Sequence, residues 1–352
     1  EVHDEVMITK LLYNEDHTKI VAAVGVSLQD SSIIVYHTKA TVMATGGCGW
    51  LYPVTSNAFQ KTGDGIMMAY DVGADVMDME MVQFHPTGML SPVSRRGVLI
   101  TEAVRGEGGH LINSEGERFM TKYDPRGELA TRDIVARSIY TEIQEGRGTE
   151  NGGVYLSVEH LPDEQVHKKL HTMVQQFKDV GVDITKEPME VAPTAHHFMG
   201  GIKIDLECKT NVEGLFAAGE ATSGVHGANR LGGNALADTQ VFGNIAGISS
   251  AKCAKESKEE KPCQDDLDCE IERIKAMRHD GKYKPSAIKS ELQHIMWDHV
   301  AIIRDEEGLL EAQSKLDELE KKTEDMKVPG FDEFNAELIT SLEIKSMIRL
   351  AK

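Results

Sequence analysis

The sequence predicts a mixed α/β fold followed by an α-helical region. Stretches rich in Val, Ile and Thr fill the beginning of the chain, and Arg/Glu-rich segments with polar loops take over near residue 85. Amphipathic helical patterns then fill the last hundred or so residues. A chain of 352 residues exceeds one ordinary domain, so we expect two or three structural units.

The first strands follow from local composition. Residues 5–13, 19–28 and 33–45 are rich in β-branched side chains, which is typical of successive strands. The third stretch ends at Gly46 and Gly47, which indicates a turn. We therefore expect three strands before the first helix.

Helices and one further strand are predicted along the rest of the chain. The spacing of apolar residues predicts a strand over 214–221 and helices over 63–73, 131–145, 163–180 and 234–251. Near the end, one helical face collects Ile288, Leu292, Ile295, His299 and Ile302. These last segments are short, so we expect packed antiparallel helices rather than a long coiled coil.

Composition narrows the functional classes. The 57 acidic and 38 basic residues give a net charge of −19, which argues against a nucleic-acid partner. No apolar run reaches the roughly 18 residues of a membrane span. The five cysteines include no C-x-x-C pair, so we expect free thiols and no metal site.

Four polar clusters could carry chemistry, namely QFHPTG at 83–88, LITEAVRGEGGHL at 99–111, ATRDIVARS at 130–138 and APTAHHFMGG at 192–201. A histidine before a proline is usually a loop residue, and Glu and Arg three positions apart usually form a surface salt bridge. In the third cluster, Arg132 opposes the helix dipole if Thr131 is the N-cap. Either Arg132 faces a negative group or the helix starts later.

A fifth stretch, GVHGANRLGG at 224–233, places Arg230 among glycines. Glycines let the backbone approach a flat ligand closely. Together the clusters supply Thr101 with candidate arginines and histidines, which suits a small dicarboxylate because guanidinium groups bind carboxylates bidentately. The residues alone therefore predict an anion site, for carboxylate or phosphate.

These clusters resemble motifs of the flavoprotein subunits of succinate dehydrogenase and fumarate reductase, and they occur in the same order along the chain. Two further stretches share the resemblance, namely TGDGIMMAY and GLFAAGEATSGVHGANRLGGNALAD. L-Aspartate oxidase is the near relative. The resemblance implies a partial, Rossmann-like FAD-binding domain interrupted by a capping domain and followed by a helical domain. The implied division is 1–84 and 193–255 for the FAD-binding domain, 85–192 for the capping domain and 256–352 for the helical domain.

One departure from the family concerns the cofactor. The family opens with a strand, a G-x-G-x-A-G turn and a helix whose N-terminus holds the FAD pyrophosphate. No G-x-G-x-x-G occurs in this sequence. The chain therefore resembles an internal fragment of a longer flavoprotein.

The resemblance assigns the substrate-binding residues of a C4-dicarboxylate, fumarate or succinate. Arg230 and His196 match the residues that hold one carboxylate, and His85 and Thr101 match those that hold the other. His197 stands where the family usually has a tyrosine.

Catalytic and cofactor-binding residues are carried over in the same way. Hydride would move between flavin N5 and one substrate carbon, and Arg132 would exchange the proton at the neighbouring carbon. Glu102 and Arg105 match the relay of that proton to solvent. For FAD, the matched positions are Asp64, Gly219, Glu220, Ala235 and Leu236. Ala235 and Leu236 begin a helix whose positive end would stabilise charge on the reduced flavin.

Two alternatives accompany this interpretation. One alternative is L-aspartate oxidase. Two motifs look closer to the fumarate/succinate branch than to that enzyme, namely NRLGGNAL and TRDIVARS. The other is a non-catalytic fragment that cannot hold FAD alone. The insertion SPVSRR at 91–96 leaves room for a thiol-driven fumarate reductase like those of methanogens.

The family also implies a partner and a location. An iron–sulfur electron-transfer subunit is the expected partner. The expected location is the cytoplasm, or the inner face of the membrane where partner subunits hold the protein there.

Overall fold

The computed structural model describes residues 1–330 and 333–352. Its strands are β1 Val6–Tyr13, β2 Ile20–Ser27, β3 Ile33–His37, β4 Thr41–Met43, β5 Val76–Met77, β6 Val82–Met89, β7 His110–Ile112, β8 Val154–Ser157, β9 Met189–Phe198, β10 Gly201–Ile202, β11 Leu215–Ala217, β12 His279–Asp280 and β13 Lys327–Val328. Its α-helices are α1 Asp64–Asp71, α2 Glu102–Gly106, α3 Met120–Tyr123, α4 Arg132–Glu142, α5 Asp163–Lys169, α6 His171–Lys178, α7 Asn234–Glu256, α8 Gln264–Ala276, α9 Pro285–His299, α10 Glu306–Lys322 and α11 Ala336–Ala351.

The strands form several small sheets. An antiparallel meander has the order β1-β2-β3, and the largest sheet has the order β6-β9-β8-β7. β4 pairs in parallel with β11, which brings the early strands next to the segment that precedes α7. Two-stranded pairs, β5 with β10 and β12 with β13, complete the set for the described residues.

The β6-β9 pair positions the candidate site. Along it, Phe84 lies opposite Ala195 and His85 lies opposite Thr194. Both strands are almost wholly buried, since β6 and β9 carry mostly apolar or small side chains between other layers. Any side chain that projects from their meeting point therefore has a fixed backbone behind it.

Two apolar cores contact this sheet. One extends from β7, β8 and β9 to α4, α5 and α6, with Ile139, Leu156 and Phe177 among its fully buried members. The other joins Tyr52 and Phe84 to α9, α10 and α11. Because both cores contact β6 or β9, the sheet is anchored both to α4, α5 and α6 and to the C-terminal helices.

Hydrogen bonds tie the C-terminal helices to residues that pack around the sheet. The Tyr52 hydroxyl donates to the Val300 carbonyl, and the Tyr140 hydroxyl donates to the Trp297 carbonyl, each at 3.0 Å. The Trp297 ring also lies edge-on to Phe84, with 6.3 Å between ring centroids. The end of α9 is thereby fixed next to β6, the strand that carries His85.

The usual expectation that a histidine before a proline lies in a loop is wrong here, because QFHPTG lies within β6. The register of β6 against β9 shifts between His85 and Gly88, and Pro86 falls in this irregularity. A proline has no N–H to give to the ladder, so it is tolerated where the ladder is interrupted.

Several predicted elements are divided in the structure. The strand expected over 33–45 is two strands, β3 and β4, which join different sheets. The helix expected over 163–180 breaks at Leu170, which has φ −114° and ψ 28°. Their apolar patterns run on without a Gly or Pro, so the sequence carried no signal for either break.

Two further elements end earlier than predicted. The strand expected over 214–221 stops at Ala217, and Gly219 then adopts φ +71° in a helical turn. α9 ends at His299, so Ile302 of the expected apolar face lies beyond the helix, although it still packs against the core.

Among the described residues, no helix has both the length and the apolar character that crossing a bilayer requires.

Candidate active site

His85 and His196 come together where β6 and β9 pair. Their rings lie roughly perpendicular, with 5.7 Å between centroids. The Thr87 backbone N–H donates to His85 Nδ1 at 3.3 Å, so a neutral His85 ring carries its proton on Nε2. The Nε2–H is then free to donate to a ligand. His196 Nδ1 lies 2.9 Å from the Ser56 hydroxyl.

Both histidines are neutral near pH 7. Burial, together with the nearby His196 and Arg132, lowers the pKa of His85 to about 3. Burial together with the charges of Arg230 and Arg132 lowers the pKa of His196 to about 4. Burial is the larger cause of both shifts, and the charges of Arg132 and Arg230 add a positive potential that favours an anionic ligand.

Arg230 is buried and held on several sides. One terminal nitrogen donates to Gln83 Oε1 at 3.0 Å, and the other donates to the Leu231 carbonyl at 3.3 Å. Gln83 Nε2 in turn donates to the Arg230 carbonyl at 2.7 Å. Within the described part of the chain, Arg230 forms no ion pair with a carboxylate, and its Nε has no hydrogen-bond partner. Its charge is left for a ligand.

Arg132 is the first residue of α4 and faces a carboxylate. Its Nε lies 2.5 Å from Glu102 Oε1, and Arg105 Nη2 lies 3.4 Å from the same oxygen. The hydrogen bond from Arg132 lowers the pKa of Glu102. The expectation that Arg132 faces a negative group is confirmed. Since Arg105 is buried and also donates to the Glu128 carbonyl, this is not an ordinary surface pair.

Arg132 and Arg230 line both of two cavities of about 450 Å³ each. The central cavity, as we call the first, is lined by Ser56, Asn57, Ala58, Lys61, Leu99, Arg132, His196, His197, Glu220, Arg230, Gly233, Ala235 and Leu236. The second contains Glu102 and Arg105. Of the predicted substrate and cofactor residues, His196, Arg230, Glu220, Ala235 and Leu236 line the central cavity. His85 lies behind this lining, next to His196, and Gly219 precedes Glu220 without lining the cavity.

The central cavity fits FAD on its Glu220 side. A Cβ on Gly47 would lie only 2.7 Å from Glu220 Oε1, so the bare Gly46-Gly47 backbone comes close to this carboxylate. Lys61 Nζ lies 2.5 Å from Glu220 Oε2 and balances its charge. An acceptor beside an open backbone suits ligand hydroxyl groups.

The start of α7 offers the second part of this fit. Gly233 precedes the helix with φ 84°, and no side chain caps it. Leu236 is 76% exposed, and a Cβ on Gly233 would meet nothing within 4 Å. A planar group therefore has room at a helix end whose dipole favours negative charge.

Asp64 and Thr101 lie apart from the central cavity, although the resemblance assigned both to the site. Asp64 begins α1 and lines a different cavity, of about 530 Å³, between β1, α1 and α11. Burial raises the pKa of Asp64. Thr101 is exposed at the start of α2, next to Glu102, and does not line the central cavity.

Four residues of the site were missed by the sequence reasoning. Gln83 fixes Arg230, Ser56 and Asn57 hold the His196 segment, and Lys61 pairs with Glu220. Gln83 stands two positions before His85 in QFHPTG, so the alternation of a strand would have placed it beside His85. The other three carry no local signal, because their partners lie more than a hundred positions away.

Comparison with known proteins fits this geometry. The family model described as an FAD binding domain matches residues 1–236, and the model described as the fumarate reductase flavoprotein C-terminus matches residues 289–352. The chain belongs to the succinate dehydrogenase and fumarate reductase flavoprotein family. FAD is the cofactor of this family, as the sequence predicted.

The similarity to individual family members extends over nearly the whole chain. A fumarate reductase (CoM/CoB) subunit of Methanothermobacter marburgensis is 58% identical over 99% of this chain and 63% of its own length. The succinate dehydrogenase flavoprotein subunit of Coxiella burnetii is 37% identical over 94% of this chain and 59% of its own length. The structure of Mycobacterium smegmatis Sdh1 superposes with a TM-score of 0.91 at 39% identity, over 98% of this chain and 58% of that one.

The fold class predicted from the sequence is confirmed by this superposition. The chain spans about three fifths of the length of the flavoproteins it matches. The domain boundaries and the roles of individual site residues stay predictions.

Proposed function

We propose that the protein takes part in the interconversion of fumarate and succinate, with FAD as its redox cofactor. The observation that carries the proposal is the central cavity, whose lining combines Arg132, His196 and Arg230 with Glu220 and the start of α7. A dicarboxylate in this cavity meets two guanidinium groups and a neutral imidazole. Glu220, Ala235 and Leu236, the residues proposed to bind FAD, line the same cavity.

Binding of the substrate follows from the donors already in place. Arg230 is held by Gln83 and Leu231, so its free edge can bind one carboxylate together with His196. His85 offers its Nε2–H to the other carboxylate, because its Nδ1 is occupied by the Thr87 N–H. Thr101 joins His85 in the family pattern and lies at the N-terminus of α2.

Chemistry divides between the cofactor and the chain. Bound FAD supplies hydride exchange with one substrate carbon. Arg132 gives or takes the proton at the neighbouring carbon, and its side chain lies beside the bare backbone of Gly232, where a Cβ would come within 3.3 Å of Arg132 Nη2. Glu102 accepts from Arg132 and Arg105, which provides a path for that proton toward the second cavity.

The electron source is proposed by similarity. The relative at 58% identity is named a CoM/CoB fumarate reductase, and this favours the thiol-driven type that the insertion at 91–96 allowed. An iron–sulfur subunit would then carry electrons between the thiol-oxidising centre and this flavoprotein.

Replacing Arg132 by lysine separates binding from proton transfer. Lysine keeps a cation but loses the planar fork that pairs with Glu102. Since Arg230, His196 and His85 remain, the Kd for fumarate should rise only modestly. Reduction of the flavin by an artificial donor should be normal, whereas turnover of fumarate should fall by about 10²–10⁴-fold, the usual contribution of a positioned acid.

Arg137→Lys is the matched control, since Arg137 lies on the same helix and forms an exposed pair with Asp133. It should leave both Kd and turnover unchanged. A loss of affinity as large as the loss of rate in Arg132→Lys would show that Arg132 is one more carboxylate-binding group and not the acid. Turnover of aspartate with oxygen, in place of fumarate, would establish L-aspartate oxidase instead.

A further inference from the structure

We propose that His17, Cys263 and Asp266 form a site for a divalent metal ion, with Zn²⁺ as the ion that fits it best. One imidazole nitrogen, the thiol sulfur and one carboxylate oxygen all lie within 4.8 Å of one another. These are three ligand types that zinc takes in proteins. None of the three residues lines the central cavity, so the site is independent of the proposed reaction.

The ligands come from two distant segments that are already in contact. His17 lies in the turn between β1 and β2, Cys263 is the N-cap of α8, and Asp266 lies in the first turn of α8. The Cys263 backbone N–H donates to the Tyr13 carbonyl at 2.8 Å. Asn14 Nδ2 donates to Glu260 at 2.7 Å. The backbone around the site is therefore positioned without help from the metal.

The ligand atoms are spaced close to the separation that one small ion requires. His17 Nδ1 lies 3.7 Å from Asp266 Oδ2. Around a tetrahedral zinc with bonds of about 2.0–2.3 Å, ligand atoms lie roughly 3.5 Å apart. The His17 side chain is 55% exposed, so its ring can turn by the small amount needed. Water from the open side can occupy the fourth position.

Charge also favours a cation here. Acidic residues flank the ligands in the sequence, namely Glu15, Asp16, Glu259, Glu260, Asp265 and Asp268. When the sulfur–metal bond forms, Cys263 releases its proton to solvent, so one thiolate and one carboxylate neutralise the doubly charged ion. No oxidant or reductant is involved.

A bound ion would connect the β1-β2 turn to the start of the helical region. The two segments lie far apart in the sequence, so the connection closes a long loop, the case in which a metal cross-link restricts the unfolded chain most. Binding to the folded state alone also stabilises it by mass action. The sequence predicted no metal because Cys263 has no second ligand at a recognisable spacing.

Cobalt substitution tests the site directly on the FAD-loaded protein. With Co²⁺ the protein should show a thiolate-to-cobalt charge-transfer band, and with Zn²⁺ it should bind one equivalent and melt at a higher temperature. Cys263→Ser should abolish the band. His17→Gln should weaken Zn²⁺ affinity by at least the roughly 10–100-fold that even outer-shell changes cost.

Two matched variants control for adventitious binding. Cys269→Ser removes an exposed thiol of α8 outside the cluster, and His279→Gln removes an exposed histidine that pairs with Asp325 without a thiol nearby. Both should bind Zn²⁺ and Co²⁺ as the unmodified protein does. The proposal is overturned if the unmodified protein gives no charge-transfer band, if His17→Gln binds Zn²⁺ with unchanged affinity, or if Cys269→Ser loses the band as well.

Discussion

At the scale of single residues, Arg230 illustrates how the chain prepares a charge for a ligand. Gln83 and the Leu231 carbonyl accept from its terminal nitrogens, and Gln83 also donates to its backbone. The guanidinium is thereby oriented before any substrate enters, so little side-chain freedom remains to be lost on binding. Burial lowers the pKa of Arg230, which shows that the charge is kept at a cost that a carboxylate would offset.

Arg230→Ala should therefore abolish tight binding of dicarboxylate. Losing one partner of a desolvated charge pair costs about 2–5 kcal/mol. At about 1.4 kcal/mol per tenfold change, the Kd for fumarate should rise by a factor of roughly 30 to several thousand. Titration of the oxidised flavoprotein with fumarate measures it. Arg126→Ala, which removes an exposed partner of Asp124, is the control, and a change below about threefold in Arg230→Ala would refute the assignment.

At the scale of elements, the helical region supports the strand that carries His85. α9 packs against α10 and α11 and touches β6 through Trp297 and Phe84. Leu316 on α10 is fully buried in this core, whereas Leu310 on the same helix is 60% exposed. Because both leucines lie on α10, replacing each by alanine changes helix propensity equally, and the difference in unfolding free energy measures the packing of Leu316.

Leu316→Ala should lower the free energy of unfolding by about 2–5 kcal/mol, because it leaves a cavity in the core. Leu310→Ala should change it by no more than about 0.5 kcal/mol. Urea unfolding followed by tryptophan fluorescence measures both, since Trp297 lies in the same core. Equal effects of the two substitutions would mean that the helical region is not packed against the sheet as described.

The elements also show what the sequence could predict. Composition placed the first two strands and the α1, α4 and α7 helices within a few residues, because β-branched runs and one-sided apolar patterns are local properties. It failed where a long-range contact decides, as when β3 and β4 join different sheets or when Pro86 fits a bulge in β6. For the site, the ordered motifs predicted Arg132, His196 and Arg230, which line one cavity, whereas Lys61 acquires its position only through Glu220.

At the scale of the whole molecule, an acidic protein contains a locally cationic site. The net charge is −19, yet Arg132, Arg230 and Lys61 line the central cavity with Glu220 as its carboxylate. The histidines in and around this cavity are neutral, because burial and the neighbouring cations both disfavour the protonated ring. Burial lowers the pKa of His85 and of His197 to about 3 and that of His196 to about 4, with neighbouring cations acting in the same direction.

These histidines should make the stability of the whole protein depend on pH. An unfolded histidine has a pKa of about 6.5, so below that value the unfolded chain binds protons that the folded protein excludes. Stability is then complete above about pH 6.5 and is lost as the pH falls toward 4. Each histidine contributes a slope of about 1.4 kcal/mol per pH unit in this range.

Urea unfolding at a series of pH values between about 7 and 5 measures this slope, with Trp50 and Trp297 as fluorescent probes. His85→Gln should reduce the slope by about 1.4 kcal/mol per pH unit, since it removes one buried group that takes up a proton on unfolding. His294→Gln changes an exposed histidine on α9 and should leave the slope as it is. A free energy of unfolding that stays constant over this range would show that the buried histidines accept protons in the folded protein. The positive potential assigned to the central cavity would then be wrong, and so would the neutral Nε2–H donor on which binding by His85 depends.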